Sequence, residues 1–177
     1  RRVRTTTGAG LDGPKQRWET LGHGACGLDQ LAHGHGPRDI KCSKRSVGAT
    51  ENLIIAASFA KGTTVLNNCA IEPEIKDLVN FLKKMGCNIK WTGKRSVKIE
   101  GVSKVEEITY PVMFDRIEAG TYLVAAALTE GNLKIKNIVP KIIQTEINTL
   151  KKIGAKIKAT KDEVHIIGNK KVKKVNI

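Results

Sequence analysis

Leu82–Lys90 reads LKKMGCNIK and Leu150–Lys158 reads LKKIGAKIK, one pattern at two places 68 residues apart. Each stretch has the form of a helix end, a glycine stop and the start of a strand. The landmarks around them keep the same spacing: Gly62 to Gly131 is 69 residues, Gly86 to Gly154 is 68, and Gly101 to Gly168 is 67. A period beyond about 50 residues lies outside the range of solenoid repeats, so the chain carries a duplicated subdomain rather than an array.

Working outward, each copy spells the same order of elements. In the first, residues 50–61 (TENLIIAASFAK) read as a helix with Thr50 as its cap and Gly62 as its stop. Thr63–Asn67 reads as a strand. Glu72-Pro73-Glu74 opens a second helix whose apolar face is Ile75, Leu78, Val79, Leu82 and Met85, and a hairpin follows from Cys87–Trp91 and Ser96–Glu100. In the second copy, residues 118–130 form a helix and Asn132–Lys136 a strand. Pro140 opens a helix with Ile143, Ile147 and Leu150 on one face, and Ala155–Ala159 with Glu163–Ile167 close the hairpin. The chain is thus of α/β class, an αβαββ unit written twice, over residues 49–102 and 118–168.

Composition narrows the partners. The formal net charge is +14 in 177 residues, which favours nucleic acid, phosphorylated metabolites or anionic lipid. Aromatics are only 4%, a handicap for any surface that must stack bases. No run approaches the roughly 18 to 20 apolar residues of a membrane span, and the basic N-terminus lacks the apolar middle of a signal peptide. The four cysteines form no CxxC pair, as expected of a reduced, cytoplasmic protein. The missing initiator Met fits a part of a longer protein.

A break falls near residue 45. Residues 1–45 hold six of the eight Arg and eight of the 17 Gly but only two of the 32 Ile and Val. Residues 1–43 are therefore expected to be poorly ordered, or an artefact of sequencing, frameshift or assembly.

Several clusters bear chemistry by letter. Gly22–Gly27 matches GxGxxG, but no strand precedes it, so a flexible Gly-rich stretch is the better reading. His23, Cys26, His33, His35 and Cys42 have zinc-type side chains at spacings that fit no common finger. Lys151, Lys152, Lys170, Lys171, Lys173 and Lys174 read as a solvated face, since no aromatics stand between them. Lys44-Arg45-Ser46-Val47-Gly48-Ala49-Thr50 puts two cations, a hydroxyl and a small-residue turn before a helix. That is either an anion site or an ordinary cap behind surface cations. Asp115-Arg116-Ile117-Glu118-Ala119-Gly120-Thr121 is a second dense cluster at a helix start, and its ordinary reading is Asp115 as cap with Arg116 and Glu118 paired to neighbours.

SVGATENLIIAA (Ser46–Ala57), GTTVLNNCAIEPEIKDLVNFLKKMGCNI (Gly62–Ile89), IEGV (Ile99–Val102) and FDRIEAGTYLVAAALTEG (Phe114–Gly131) closely resemble the enolpyruvyl transferases, in the branch that acts on UDP-N-acetylglucosamine in peptidoglycan synthesis. The resemblance runs from Lys44 to Ile177. It implies an inside-out α/β barrel of the enolpyruvyl transferase type, with about two of its three repeats present in a partial barrel domain over residues 44–177. It also implies transfer of the enolpyruvyl group of phosphoenolpyruvate to the 3-hydroxyl of UDP-N-acetylglucosamine, with release of phosphate. Lys44, Ser46, Val47 and Gly48 match the segment that contacts the nucleotide sugar. Arg45 falls in the same segment, where the family usually carries an apolar residue. Arg116 and Glu118 match a segment of the cleft or of interdomain contact.

Neither the family's catalytic Cys loop with its Arg-Pro motif, nor its acidic general base, nor its Lys-Asn pair for phosphoenolpyruvate is matched in this chain. No catalytic residue is assigned here, and the chain alone is expected to be inactive. The partners implied are the two small-molecule substrates, with no nucleic acid, no membrane, no metal and no cofactor; the oligomeric state stays open. The rivals are a sister enzyme acting on shikimate phosphate and a basic αβ domain that binds nucleic acid.

Overall fold

Two short strands, β1 (Arg2–Arg4) and β2 (Arg38–Lys41), come before the first copy. The copy itself consists of α1 (Val47–Phe59), β3 (Thr63–Asn67), α2 (Pro73–Lys84), β4 (Asn88–Gly93) and β5 (Ser96–Glu100). After β6 (Thr109–Pro111) the second copy repeats the order. It has α3 (Arg116–Leu128), β7 (Asn132–Lys136), α4 (Gln144–Lys152), β8 (Lys156–Ala159) and β9 (Glu163–Ile167). This computed structural model describes residues 2–4, 38–169 and 174. The chain divides into two compact units, Arg1–Val112 and Met113–Ile177, with one copy in each.

In the first unit the strand order is β2-β3-β5-β4. β2 and β3 are parallel, and α1 supplies the crossover that a parallel pair needs. In the second unit the order is β7-β9-β8, all antiparallel. The duplication extends to hydrogen-bond register. Thr63 faces Glu100 and Asn88 faces Glu100 in the first sheet, and the equivalent Asn132 and Lys156 both face Ile167 in the second. Gly86 and Gly154 stop α2 and α4 with φ of 98° and 108°, a left-handed step that favours glycine. Around each, the same pair of bonds closes the helix: Cys87 N to Leu82 O and Gly86 N to Lys83 O, then Ala155 N to Leu150 O and Gly154 N to Lys151 O.

Each unit has its own core. Leu53, Ile54, Leu66, Ile75, Ile89, Val97 and Ile99 are buried between helices and sheet in the first, and Leu123, Ile143, Ile147, Val164 and Ile166 in the second. A fully buried side chain of this size contributes roughly 1.5 to 3 kcal/mol, so these positions hold the two layers together. Not every apolar face is covered. Ile117, Val124 and Leu128 line one exposed side of α3, and Ile55 and Phe59 sit at the equivalent positions of α1. Among the described residues no helix is long and apolar enough to cross a membrane.

The structure differs from the sequence reading at several points. Arg38–Lys41 lies in the stretch expected to be unstructured, yet it pairs with β3 and buries Ile40. One β-branched residue in four gives no visible alternation, and a long-range pairing supplies the strand. α1 starts three residues before Thr50, capped by Ser46. Pro140 opens a 3-10 turn, Pro140–Ile143, ahead of α4 rather than the helix itself. Of the candidate zinc ligands, Cys42 is buried in the apolar core, while His23, Cys26, His33 and His35 lie outside the described residues. So do Gly22–Gly27, Lys170, Lys171 and Lys173.

β6 also escaped the periodicity, because a single side chain anchors it. Tyr110 is buried, meets Phe81 edge-on at 5.3 Å between ring centroids, and lies 5.3 Å from the Lys84 ammonium. Its hydroxyl donates to Asp77 Oδ1 at 2.9 Å. Burial first, then that hydrogen bond and the Asp77 charge, push the phenol up to about 12 from its ordinary 10. A raised value in the folded state means the latch contributes its full stability below pH 10 and loses it as the pH climbs through 12. We expect one tyrosinate band near 295 nm to appear only at the upper end of that range, and Tyr110→Phe to remove it. The same variant should lower stability by about 1 kcal/mol. A titration with no late tyrosine would show that β6 is not held this way.

Candidate functional site

The strands β2 and β3 are parallel and end together, and α1 begins at that end. Open α/β sheets place ligands at such carboxyl ends, where helix amides are free. Ser46 is the N-cap: its backbone is extended (φ −94°, ψ 129°) and its Oγ accepts from the Ala49 amide at 3.3 Å. Its carbonyl takes the first full helical bond from Thr50 N at 3.0 Å. The Val47 and Gly48 amides are then the orphan donors of the first turn, the usual anion-binding groups at a helix start. The Gly48 α-carbon faces open space, with no atom within 4 Å of the position a Cβ would take.

Thr50 fixes this turn from beneath. Fully buried, it donates through Oγ1 to Ser46 O at 2.8 Å and accepts from the Ala70 amide at 3.0 Å. The hydroxyl read from sequence as a cap is instead a tie between the helix start and the loop after β3. In that loop Asn68 has φ 59°, a left-handed conformation that Asn tolerates better than most residues. Its amide nitrogen donates to Cys42 O at 2.8 Å, and its Oδ1 accepts from Arg45 Nε at 3.3 Å.

The Arg45 side chain is exposed, so nothing at this position requires the apolar residue usual in the resembling family. Arg95 approaches from the turn between β4 and β5. Its Nη1 donates to Cys69 O at 3.0 Å, and its own carbonyl accepts from Cys69 N at 3.0 Å. Arg45 and Arg95 thus flank Asn68–Cys69, and exposed Lys44 adds a third cation at the same end of the sheet. Glu51, one turn into α1, has its carboxyl raised above the ordinary value by burial and then by the Glu74 charge.

Lys44, Arg45, Ser46, Val47 and Gly48 therefore form one continuous turn with cations on its rim. Sequence reasoning missed Arg95, Asn68 and the role of Thr50. Only the Asn67-Asn68 pair, a common turn former, offered a hint.

The second cluster lies in the other unit. Asp115 caps α3, its Oδ1 accepting from Ile117 N at 2.8 Å and Glu118 N at 3.1 Å. Arg116 is half-buried and lines a shallow depression of about 340 Å³ with Ile117, Gly120, Thr121, Val124 and Glu146. Glu118 is exposed and does not line it.

The model of the EPSP synthase (3-phosphoshikimate 1-carboxyvinyltransferase) family matches residues 30–177, so the likeness begins 14 residues before Lys44. A UDP-N-acetylglucosamine 1-carboxyvinyltransferase of Pelagibacter ubique is 67% identical over 155 residues, covering 85% of this chain and 37% of that protein. A second protein of that name, from Caldanaerobacter subterraneus, is 44% identical over 89% of this chain and 38% of its own length. The chain thus spans a little over a third of the curated relatives it matches. Among solved structures, the enolpyruvyl transferase NikO of Streptomyces tendae shares the fold, with a TM-score of 0.62, 22% identity and coverage of 76% of this chain and 35% of that one. EPSP synthase of Acinetobacter baumannii does so with a TM-score of 0.51 and 20% identity, over 76% of this chain and 32% of its own.

Proposed function

The chain belongs to the EPSP synthase family, and from that premise we propose that it is part of an enzyme that joins C2 of phosphoenolpyruvate to the 3-hydroxyl oxygen of UDP-N-acetylglucosamine and expels phosphate, a step of peptidoglycan synthesis. The carrying observation is the 67% identity to a relative named for the UDP-sugar reaction. That likeness favours the nucleotide sugar over shikimate phosphate, the substrate for which the family model is named.

In this reading Lys44 and the Val47 and Gly48 amides take the diphosphate, an anion suited to a helix start. Ser46 holds the turn, and Arg45 adds charge at its rim. Arg116 serves the depression on α3, and Glu118 stands on the same helix turn for contacts of the cleft or between domains. No cofactor or metal enters, and the reaction proceeds in the cytoplasm, where both substrates are soluble. This chain supplies binding rather than chemistry, because the Cys loop and the acidic base that the resemblance implies have no match in it.

A ligand series tests the assignment. UDP-N-acetylglucosamine should raise the thermal midpoint of the chain, reaching about 2.7 kcal/mol at a hundredfold excess over its dissociation constant. Shikimate 3-phosphate should leave the midpoint in place, and the chain with both proposed substrates should release no phosphate above background. Stabilisation by shikimate 3-phosphate alone would move the chain to the sister activity. Phosphate release would show that the chemistry resides in this chain after all.

A further inference from the structure

We propose that the outer face of the β7-β9-β8 sheet docks on an anionic phospholipid surface. On these strands Leu133, Ile135, Ile157, Val164 and Ile166 pack into the core of the second unit. Alternation therefore puts Lys134, Lys136, Lys156, Lys158, His165 and Glu163 together on the other side. The four lysines are all exposed.

Lys134 and Lys158 both lie directly across from His165, which places one lysine on either side of it in a single cross-strand row. The one carboxylate on the face, Glu163, pairs with Lys134 at 3.6 Å. Lys136, Lys156 and Lys158 have no acidic partner among the described residues.

The duplication provides an internal reference. In the first unit the equivalent face carries Val65, Asn67 and Asn88 where the second has Lys134, Lys136 and Lys156, and Glu100 where it has Ile167. There Lys98 pairs with Glu100 at 3.1 Å, and Asp39 accepts from Asn67. Lys90 and Lys98 stand opposite each other there, at the positions of Lys158 and His165, so the second face differs from the first by the extra lysines at 134, 136 and 156. The architecture does not require the charge.

The occupant follows from the shape and chemistry of the face. The lysines of β7 and β8 lie two strands apart, on the order of 10 Å, and about 7 Å apart along each strand. The array carries no Phe, Tyr or Trp for stacking bases, and exposed Ile167 lies on the same face, across from Lys156. Apolar contact within a basic array suits a lipid headgroup layer. In sequence, Lys170, Lys171, Lys173 and Lys174 follow Ile167 within seven residues. Bilayer docking of this kind asks for no spanning segment.

The probe is flotation of the whole chain with vesicles of mixed phosphatidylglycerol and phosphatidylcholine, and with phosphatidylcholine alone. We expect binding to the anionic vesicles only, weakening steeply between about 50 and 300 mM salt. The triple variant Lys136→Glu, Lys156→Glu, Lys158→Glu should bind at least tenfold more weakly, and its Gln counterpart should lose most of the binding without reversing charge. A control, Lys61→Glu, Lys76→Glu, Lys104→Glu, changes net charge equally and should keep most of it. Edge lysines that only prevent strand-to-strand aggregation would also be served by glutamates. They give no lipid binding to lose.

No binding by the parent chain, equal loss in the control, or capture of a DNA duplex with no capture of vesicles would each overturn the proposal. None of these outcomes bears on the nucleotide-sugar reading, which concerns the other unit's α1 turn.

Discussion

Gly101→Ala should lower the stability of the chain by at least about 3 kcal/mol, a fall in Tm of roughly 10 °C or more for a unit of this size. A Cβ there would overlap the carbonyl oxygen of Ala60 and come within 2.7 Å of its carbonyl carbon. Both are backbone atoms at the end of α1 and cannot swing aside. The surrounding bonds leave the chain no alternative path, since Gly101 N donates to Gly62 O and Val102 N to Ser58 O, each at 2.9 Å. Gly168 repeats the arrangement, with Glu130 Cα at 2.8 Å from the added carbon and Gly168 N donating to Gly131 O. Thermal denaturation followed by circular dichroism measures the loss. An unchanged midpoint would mean that β5 does not leave its sheet across the end of α1 as described.

Thr50→Val carries the second largest expected effect, about 2 kcal/mol. Valine keeps the volume and the branched shape, so the cost isolates the hydroxyl. Without it the Ala70 amide is left buried with no acceptor, and the Ser46 carbonyl loses one of its two donors. Thr50→Ser keeps both bonds and should recover most of the loss. Because the tie joins the helix start to the loop after β3, Thr50→Val should also weaken UDP-N-acetylglucosamine several-fold, whereas the serine variant should not. Equal destabilisation by Val and Ser would assign the effect to packing alone.

Much of this fold was legible because its signals are local. The Gly86 and Gly154 stops, Pro73 and the apolar face of α2 each act within a turn or two, and the doubling of LKKMGCNIK shows the duplication without any tertiary information. What the sequence hid depends on partners far along the chain. Thr50 and Ser46 are both hydroxyls near a helix start, and only the Ala70 amide, 20 residues away, makes Thr50 an internal tie and leaves Ser46 as cap. Arg38–Lys41 is a strand because β3 accepts it, and Thr109–Pro111 because Tyr110 finds Asp77 and Phe81.

The site shows the same division. The Lys44–Gly48 turn stood out by composition, while Arg95 reaches the neighbouring Asn68–Cys69 loop from a hairpin that periodicity places but cannot aim. In Asp115–Glu118 the capping reading holds for Asp115, and of the two charged residues carried over from the resemblance Arg116 lines the α3 depression while Glu118 does not.

The most direct test of the proposed nucleotide-sugar turn is a titration of isotope-labelled chain with UDP-N-acetylglucosamine, following backbone amide shifts. We expect saturable changes centred on Lys44–Thr50, with smaller ones at Asn68, Cys69 and Arg95. A well-dispersed spectrum that does not move, or shifts confined to residues outside that turn and its loop, would contradict the assignment of the α1 start as the nucleotide-sugar site.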